Sequence, residues 1–172
     1  MTVSAGHQLR LATRNAAKYY GKTTVGGTGL TKALPADPTG LSILGANTSG
    51  AFSSNSDHVV LPDGWLDMNG YSQIIQSLDN AGVVSFISGT SPGPSVILET
   101  VADYTSNGGT LVIGTQLGND ASSTNVMVVQ GGVNLVTPTK IDVQNINGLG
   151  DPAPVGIPII KESVLENIGD VD

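Results

Sequence analysis

Hydrophobic and polar residues alternate over short stretches along most of this chain, and turn-forming residues separate the stretches. Runs rich in Val, Ile and Thr end at Gly, Asn, Asp or Ser, at intervals of roughly 8–12 residues. This pattern predicts short β-strands at residues 41–44, 58–61, 72–78, 83–88, 95–104, 110–117, 125–129, 133–136 and 140–146. Such spacing is typical of a sandwich or barrel.

Two Gly-rich turns separate pairs of these strands. One runs from Ser106 to Gly109, and the other from Gln130 to Gly132. Asn and Gly accept the positive φ values that tight hairpin turns require. The sequence therefore predicts a β-hairpin at each turn.

Two stretches have helical features. Arg10, Arg14 and Lys18 recur every fourth residue and predict a helix with one cationic stripe over residues 7–20. A second, short helix is predicted at residues 161–168.

Positive charge is confined to one end of the chain. Residues 1–35 contain five cations and no acids, whereas residues 36–172 contain two cations and fourteen acids. Because folded domains usually intersperse their charges, this partition predicts a basic arm attached to an acidic body. We divide the chain into a basic N-terminal arm and linker (1–48), a β body (49–148) and a proline-spaced acidic C-terminal tail (149–172).

Composition supports an all-β fold. Charged residues make up only 12% of the chain, too few to solvate the outer faces of many helices, and 23 glycines favour tight turns. The predicted class is all-β, with a sandwich or jelly-roll-like body, an extended arm and a short tail. Cysteine is absent, which excludes disulfides and thiolate metal sites. No apolar run approaches the roughly 18 residues of a membrane span, so no membrane partner is expected.

No catalytic constellation emerges, and we expect no enzyme, no cofactor and no metal. Residues 89–93 match the G-x-S-x-G pattern of hydrolases, but the residue after Ser91 is Pro92, which has no N–H to stabilise an oxyanion. A weak calcium site at Asp63 and Asp67 is an alternative to a solvated turn.

The basic arm is the first candidate binding segment. Its cations and aromatic residues are expected to contact an acidic protein surface, including the body of a neighbouring copy in a homo-oligomer. Nucleic acid is disfavoured, because a sequence pI near 4.5 opposes approach to a polyanion. The residues assigned to this contact are Arg10, Arg14, Lys18, Tyr19, Tyr20, Lys22 and Lys32.

A carbohydrate-binding module, on a fibre or adhesin, is the alternative function. An aromatic ring beside acidic residues can stack on a sugar and bind its hydroxyls. The residues assigned to such a site are Asp63, Trp65, Asp67 and Tyr71.

The arm (1–36) and the stretch at residues 65–75, an aspartate, a turn, Gly70-Tyr71 and a strand, resemble small virion structural proteins of tailed bacteriophages. Capsid decoration (cement) proteins are the nearest group. The resemblance implies a virion protein that forms trimers and stabilises a particle, with its arm bound to a major capsid or tail protein. The acidic tail has no counterpart in that group.

Overall fold

The computed structural model of the protein describes residues 1–3, 7–11, 21–27, 42–87, 96–115, 125–145 and 160–162. Strands and their connections make up this part of the chain, and it contains no helix. In chain order the strands are β1 (Thr2–Val3), β2 (Gln8–Leu11), β3 (Gly21–Val25), β4 (Ser42–Ala46), β5 (Ser56–Val60), β6 (Gly64–Asp67), β7 (Gln73–Ile75), β8 (Ser77–Asn80), β9 (Val83–Ser85), β10 (Ile97–Thr100), β11 (Tyr104–Asn107), β12 (Thr110–Thr115), β13 (Val126–Val129), β14 (Val133–Thr137), β15 (Lys140–Asn145) and β16 (Ile160–Glu162).

The described strands form three parallel sheets. Sheet 1 has the order β1-β3-β5-β8-β11-β14, sheet 2 has the order β2-β4-β6-β9-β12-β15, and sheet 3 has the order β7-β10-β13-β16. Consecutive strands lie in different sheets, and from β5 onward the chain visits sheets 1, 2 and 3 in turn. The chain therefore winds as a parallel β-solenoid, in which each coil stacks on the one before it.

The all-β prediction is confirmed, and the sheets face one another around a shared core as in a sandwich. The connectivity differs from a jelly roll, because every strand pair of the described residues is parallel. The two predicted hairpins are wrong. The turn at residues 106–109 joins β11 in sheet 1 to β12 in sheet 2, and the turn at residues 130–132 joins β13 in sheet 3 to β14 in sheet 1. These turns are corners of the coil.

The described part of the predicted arm belongs to the solenoid, which corrects the expectation of a separate extended arm. Strand β3 pairs with β5 along its whole length, and β2 pairs with β4. Val3 and Val25 are buried in the main core. The domain boundaries at residues 48 and 148 stay predictions, although β4 pairs with β6 across the first and β13 with β16 across the second.

The described residues at the start of both predicted helices form strands instead. Residues 8–11 form strand β2, because Leu9 and Leu11 alternate with polar residues and a period of two places both leucines on the core side. Residues 160–162 form strand β16. The rest of each predicted helix, residues 12–20 and 163–168, lies outside the described residues.

Rows of apolar side chains stacked along the solenoid axis hold the coils together. In sheet 2, the strand register places Leu44, Leu66, Val84 and Leu111 directly above one another, and all four are fully buried. Burying a side chain of this size contributes roughly 1.5–3 kcal/mol. The core is therefore continuous from coil to coil, and each coil depends on its neighbours for burial.

Candidate functional site

Arg10, a residue assigned to the basic arm, forms an ion pair within its own chain. Its Nη1 lies 3.0 Å from Oδ2 of Asp67, two strands away across sheet 2. Gly45 lies between them, and a Cβ at that position would come within 2.8 Å of Arg10 Nη1. The guanidinium therefore lies flat on the outer face of sheet 2 and joins β2 to β6.

Asp67, the partner of Arg10 in this ion pair, is a partly buried carboxylate. Burial raises the pKa of Asp67, while Arg10 and the backbone N–H of Asn69 oppose that rise. The ion pair thus compensates in part for the cost of holding a carboxylate away from water.

We expect Arg10→Ala to destabilise the protein by about 1 kcal/mol at neutral pH, because it leaves the Asp67 carboxylate partly buried without its cation. The difference from wild type should shrink in acid, where Asp67 becomes protonated. Urea denaturation at several pH values measures this, with Lys140→Ala as a control that removes an exposed cation from another coil. Equal effects of the two substitutions would show that the ion pair contributes nothing specific.

The other residues assigned to the arm are only partly described. Lys22 lies on β3, and its backbone oxygen accepts a hydrogen bond of 2.9 Å from the Met1 ammonium. Arg14, Lys18, Tyr19, Tyr20 and Lys32 lie outside the described residues. The contact of this segment with an acidic partner stays a prediction.

The four residues of the predicted glycan site do not converge on one surface. Asp63 is buried and accepts a hydrogen bond of 2.8 Å from the backbone N–H of Gly27. Trp65 packs against Val83 and Val112 on the outer side of sheet 2. Asp67 binds Arg10, and only Tyr71 is exposed. Asp63, Trp65 and Asp67 thus contact other residues of the same chain.

His58 is a buried titratable residue on β5, at the start of the strand predicted for residues 58–61. It lies in sheet 1 with its Nδ1 2.9 Å from the backbone oxygen of Ser56, and its ring centroid is 5.5 Å from that of Phe52. Burial lowers the pKa of His58 to about 4, although the hydrogen bond to Ser56 and the nearby Asp57 oppose the shift. The imidazole is therefore neutral at physiological pH.

A surface cavity of about 330 Å³ lies beside β7 and β10, with Ile74 and Ile97 in its wall. Three polar residues of the wall are already bonded to the protein. Ser72 Oγ accepts a hydrogen bond from the Ile97 N–H, Gln73 binds Phe52 and Thr48, and Glu99 accepts one from Gln130. This cavity therefore offers little to recognise a ligand.

The last described coil of the solenoid presents a different kind of surface. We define the terminal coil face as the core-facing side chains Leu135, Ile141 and Val143 together with the outer edges of β14 and β15. The strand register places these side chains above Ser106, Leu111 and Ile113, all of which are buried. Yet Leu135 is 56% exposed, Ile141 38% and Val143 54%.

The backbone of this face has described partners on one side only. Among the described strands, β14 pairs only with β11, and β15 pairs only with β12. Strand β14 carries no charged residue and its Val136 is 64% exposed, whereas β15 carries Lys140 and Asp142. Sheet edges normally carry charges or prolines that prevent pairing with another chain, so an apolar, uncharged edge is a candidate contact site.

Metal-binding clusters and membrane-spanning helices were also considered for the described part of the chain. It holds no cluster of three or more His, Asp or Glu residues that could bind a metal ion. Likewise, no helix among these residues is long and apolar enough to cross a membrane.

The three parallel sheets and their stacked coils define a parallel β-solenoid protein. Residues 72–170 match the family model described as Autochaperone Domain Type 1, and this match covers more than half of the chain. The chain belongs to this family. A search of the curated proteins finds no match to it. The family differs from the capsid decoration proteins named above, and the comparisons do not support that resemblance.

Proposed function

We propose that residues 72–170 act as an intramolecular folding module for the N-terminal coils of the same chain. One observation carries this proposal. Among the described residues, β1 to β6 contribute only to sheets 1 and 2, whereas the part of the chain from β7 onward supplies complete coils with a strand in each of three sheets. The family match begins at residue 72, next to the start of β7, and its description as an autochaperone domain supports a folding role for this part of the chain.

The N-terminal coils depend on a surface that the matched region provides. Strand β5 pairs with β8, so that His58 faces Leu78, and β6 pairs with β9, so that Leu66 faces Val84. A few short strands without a third sheet bury little apolar surface and are marginal alone. In a solenoid, where contacts are mainly between neighbouring coils, folding can begin in one coil and propagate to the next.

The proposal predicts a difference between two leucines of one core row. Leu44 and Leu111 are both fully buried in sheet 2, one before the matched region and one inside it. Replacing either with alanine should cost about 2–5 kcal/mol of stability. If the matched region folds first, Leu111→Ala slows folding, with a φ value above about 0.5, whereas Leu44→Ala mainly accelerates unfolding, with a φ value below about 0.3.

Stopped-flow refolding and unfolding of the full chain in guanidinium chloride measures both values. The milder Leu44→Val and Leu111→Val changes serve if an alanine variant does not fold. A higher φ value at Leu44 than at Leu111 would contradict the proposal, because folding would then begin in the N-terminal coils. Equal values would contradict it as well.

The same family assignment favours a secreted setting of the autotransporter kind, which we propose in place of the virion expected from the sequence. Detection of the protein outside the producing cell, by immunoblotting of culture medium, tests this setting. Capsid decoration, trimer formation and glycan binding stay predictions of the sequence.

A further inference from the structure

The terminal coil face repeats an interface that the structure shows between its other coils. In the row that ends at Ile141, each residue rests on the one before it, from Leu44 through Leu66, Val84 and Leu111. The four earlier members are fully buried because each has a neighbour on both sides. Ile141 has the same chemistry and the same strand geometry, but a described neighbour on one side only.

We propose that the terminal coil face binds an extended polypeptide segment with alternating apolar residues, which adds to β14 and β15 as parallel strands. Its outer edges offer backbone N–H and C=O groups to such a segment, and Leu135, Ile141 and Val143 offer its side chains an apolar surface. Strand addition to a sheet edge combines these two contributions, the first for affinity and the second for specificity. This inference goes beyond the proposed function, which concerns the opposite side of the matched region.

The size of the face favours an extended segment over a folded partner. Strands of five or six residues are roughly 17–20 Å long, and facing sheets lie about 10 Å apart, so the end of the solenoid offers only a few hundred Å². Stable complexes between folded proteins bury about 800 Å² on each partner. A second folded copy would therefore be held weakly, whereas a segment gains main-chain hydrogen bonds in addition to the buried area.

The structure also indicates which sequences the face would accept. The segment that contacts β14 and β15 from the inner side, residues 104–115, places Tyr104, Ser106, Leu111 and Ile113 toward the core. A segment bound on the outer side would place its core-facing side chains in the same rows, one coil beyond Leu135, Ile141 and Val143. Charged residues at its core-facing positions would be held against Leu135 and Ile141 without a partner.

A peptide with the sequence of residues 104–115 is the probe for this surface. It is labelled with a fluorophore and titrated with the full-length protein, and fluorescence anisotropy measures its dissociation constant. We expect saturable binding to the wild-type protein. A peptide carrying Leu111→Lys and Ile113→Lys should bind at least about tenfold more weakly, which corresponds to about 1.4 kcal/mol.

Matched protein variants locate the binding site. The double substitution Leu135→Lys and Ile141→Lys should weaken binding at least about tenfold, whereas Asp142→Lys, which adds the same charge to the outer face of β15, should leave it within about twofold. If the double variant does not fold, as judged by circular dichroism, the single Val143→Lys variant replaces it and should weaken binding in the same direction.

Two outcomes would overturn the inference. The first is absence of saturable binding to the wild type, or equal binding by the wild type and the lysine variants. The second is self-association of the wild type in sedimentation velocity that the lysine substitutions abolish, because the occupant would then be a second copy. Neither outcome depends on the φ values at Leu44 and Leu111, so this inference and the proposed function can fail separately.

Discussion

Replacing Gly82 with alanine is expected to destabilise the protein by about 3 kcal/mol or more, enough to unfold a marginally stable chain. Gly82 is buried at the corner between β8 and β9. A Cβ at this position would overlap the backbone oxygen of Leu61 and lie 2.5 Å from that of Gly64. Neither oxygen can move freely, because the Leu61 N–H is bonded to Val25 and the Gly64 N–H to Leu61.

Gly132 provides the matched control for this substitution. It lies at an exposed corner of a later coil, and the nearest atom to an added Cβ is Asp103 Oδ1 at 3.7 Å. Gly132→Ala should therefore change the free energy of unfolding by no more than about 0.5 kcal/mol. Equilibrium denaturation in guanidinium chloride compares the two variants. If the free energy of unfolding of Gly82→Ala lies within about 1 kcal/mol of the wild-type value, the prediction is wrong, because the coils then accommodate the added Cβ at this corner at little cost.

Acidification from pH 7.5 to pH 5 is expected to remove about 2 kcal/mol of stability through His58 alone. The folded protein lowers the pKa of His58 from 6.5 to about 4. Between these two values the unfolded chain binds more protons than the folded chain, so stability rises with pH across this window. Below pH 4 both states are protonated, and the total loss reaches about 3 kcal/mol.

His58→Gln isolates this effect, because glutamine keeps a donor for the Ser56 oxygen but carries no charge at any pH. The variant should lose the rise in stability between pH 5 and pH 7. A slope of the opposite sign should then become visible at lower pH, since the raised pKa of Asp67 makes the folded chain hold its proton more tightly than the unfolded chain. If the pH dependence of stability is unchanged in His58→Gln, the effect does not come from His58 and the prediction is wrong.

Strand positions were accessible from the sequence because alternation of apolar residues depends only on the local chain. The stretches predicted at residues 58–61, 83–88 and 140–146 overlap β5, β9 and β15. Strand partners were not accessible in this way. Alternation specifies which face of a strand is buried, but a parallel neighbour one coil away and an antiparallel neighbour across a hairpin produce the same pattern.

Apolar residues on both faces of a strand were a less reliable signal. Residues 95–104 carry apolar side chains on both faces, which is expected of a strand that meets its own core on one side and another subunit on the other, or of a central strand. In the structure, Leu98 faces the core while Ile97 lies outside on sheet 3, beside the surface cavity.

The segregation of charge along the chain was visible in the sequence, but its meaning depended on the fold. Arg10 was assigned to an intermolecular contact because no acid is near it in the first 35 residues. The partner, Asp67, is 57 positions away and reaches Arg10 only because β2, β4 and β6 are neighbours in one sheet. Sequence separation carries no information about such a pair.

The sequence by itself determined the class of the fold and the approximate positions of many strands, because these depend on local periodicity and on turn-forming residues. The tertiary structure alone decided that the strands stack in parallel coils, that His58 and Asp63 are buried, and that Leu135, Ile141 and Val143 lie at an open end. The physical reason is that burial depends on which segments become neighbours. The side chains at this edge have the same apolar character as those in the middle of their rows, but among the described strands β14 and β15 each have a neighbour on one side only.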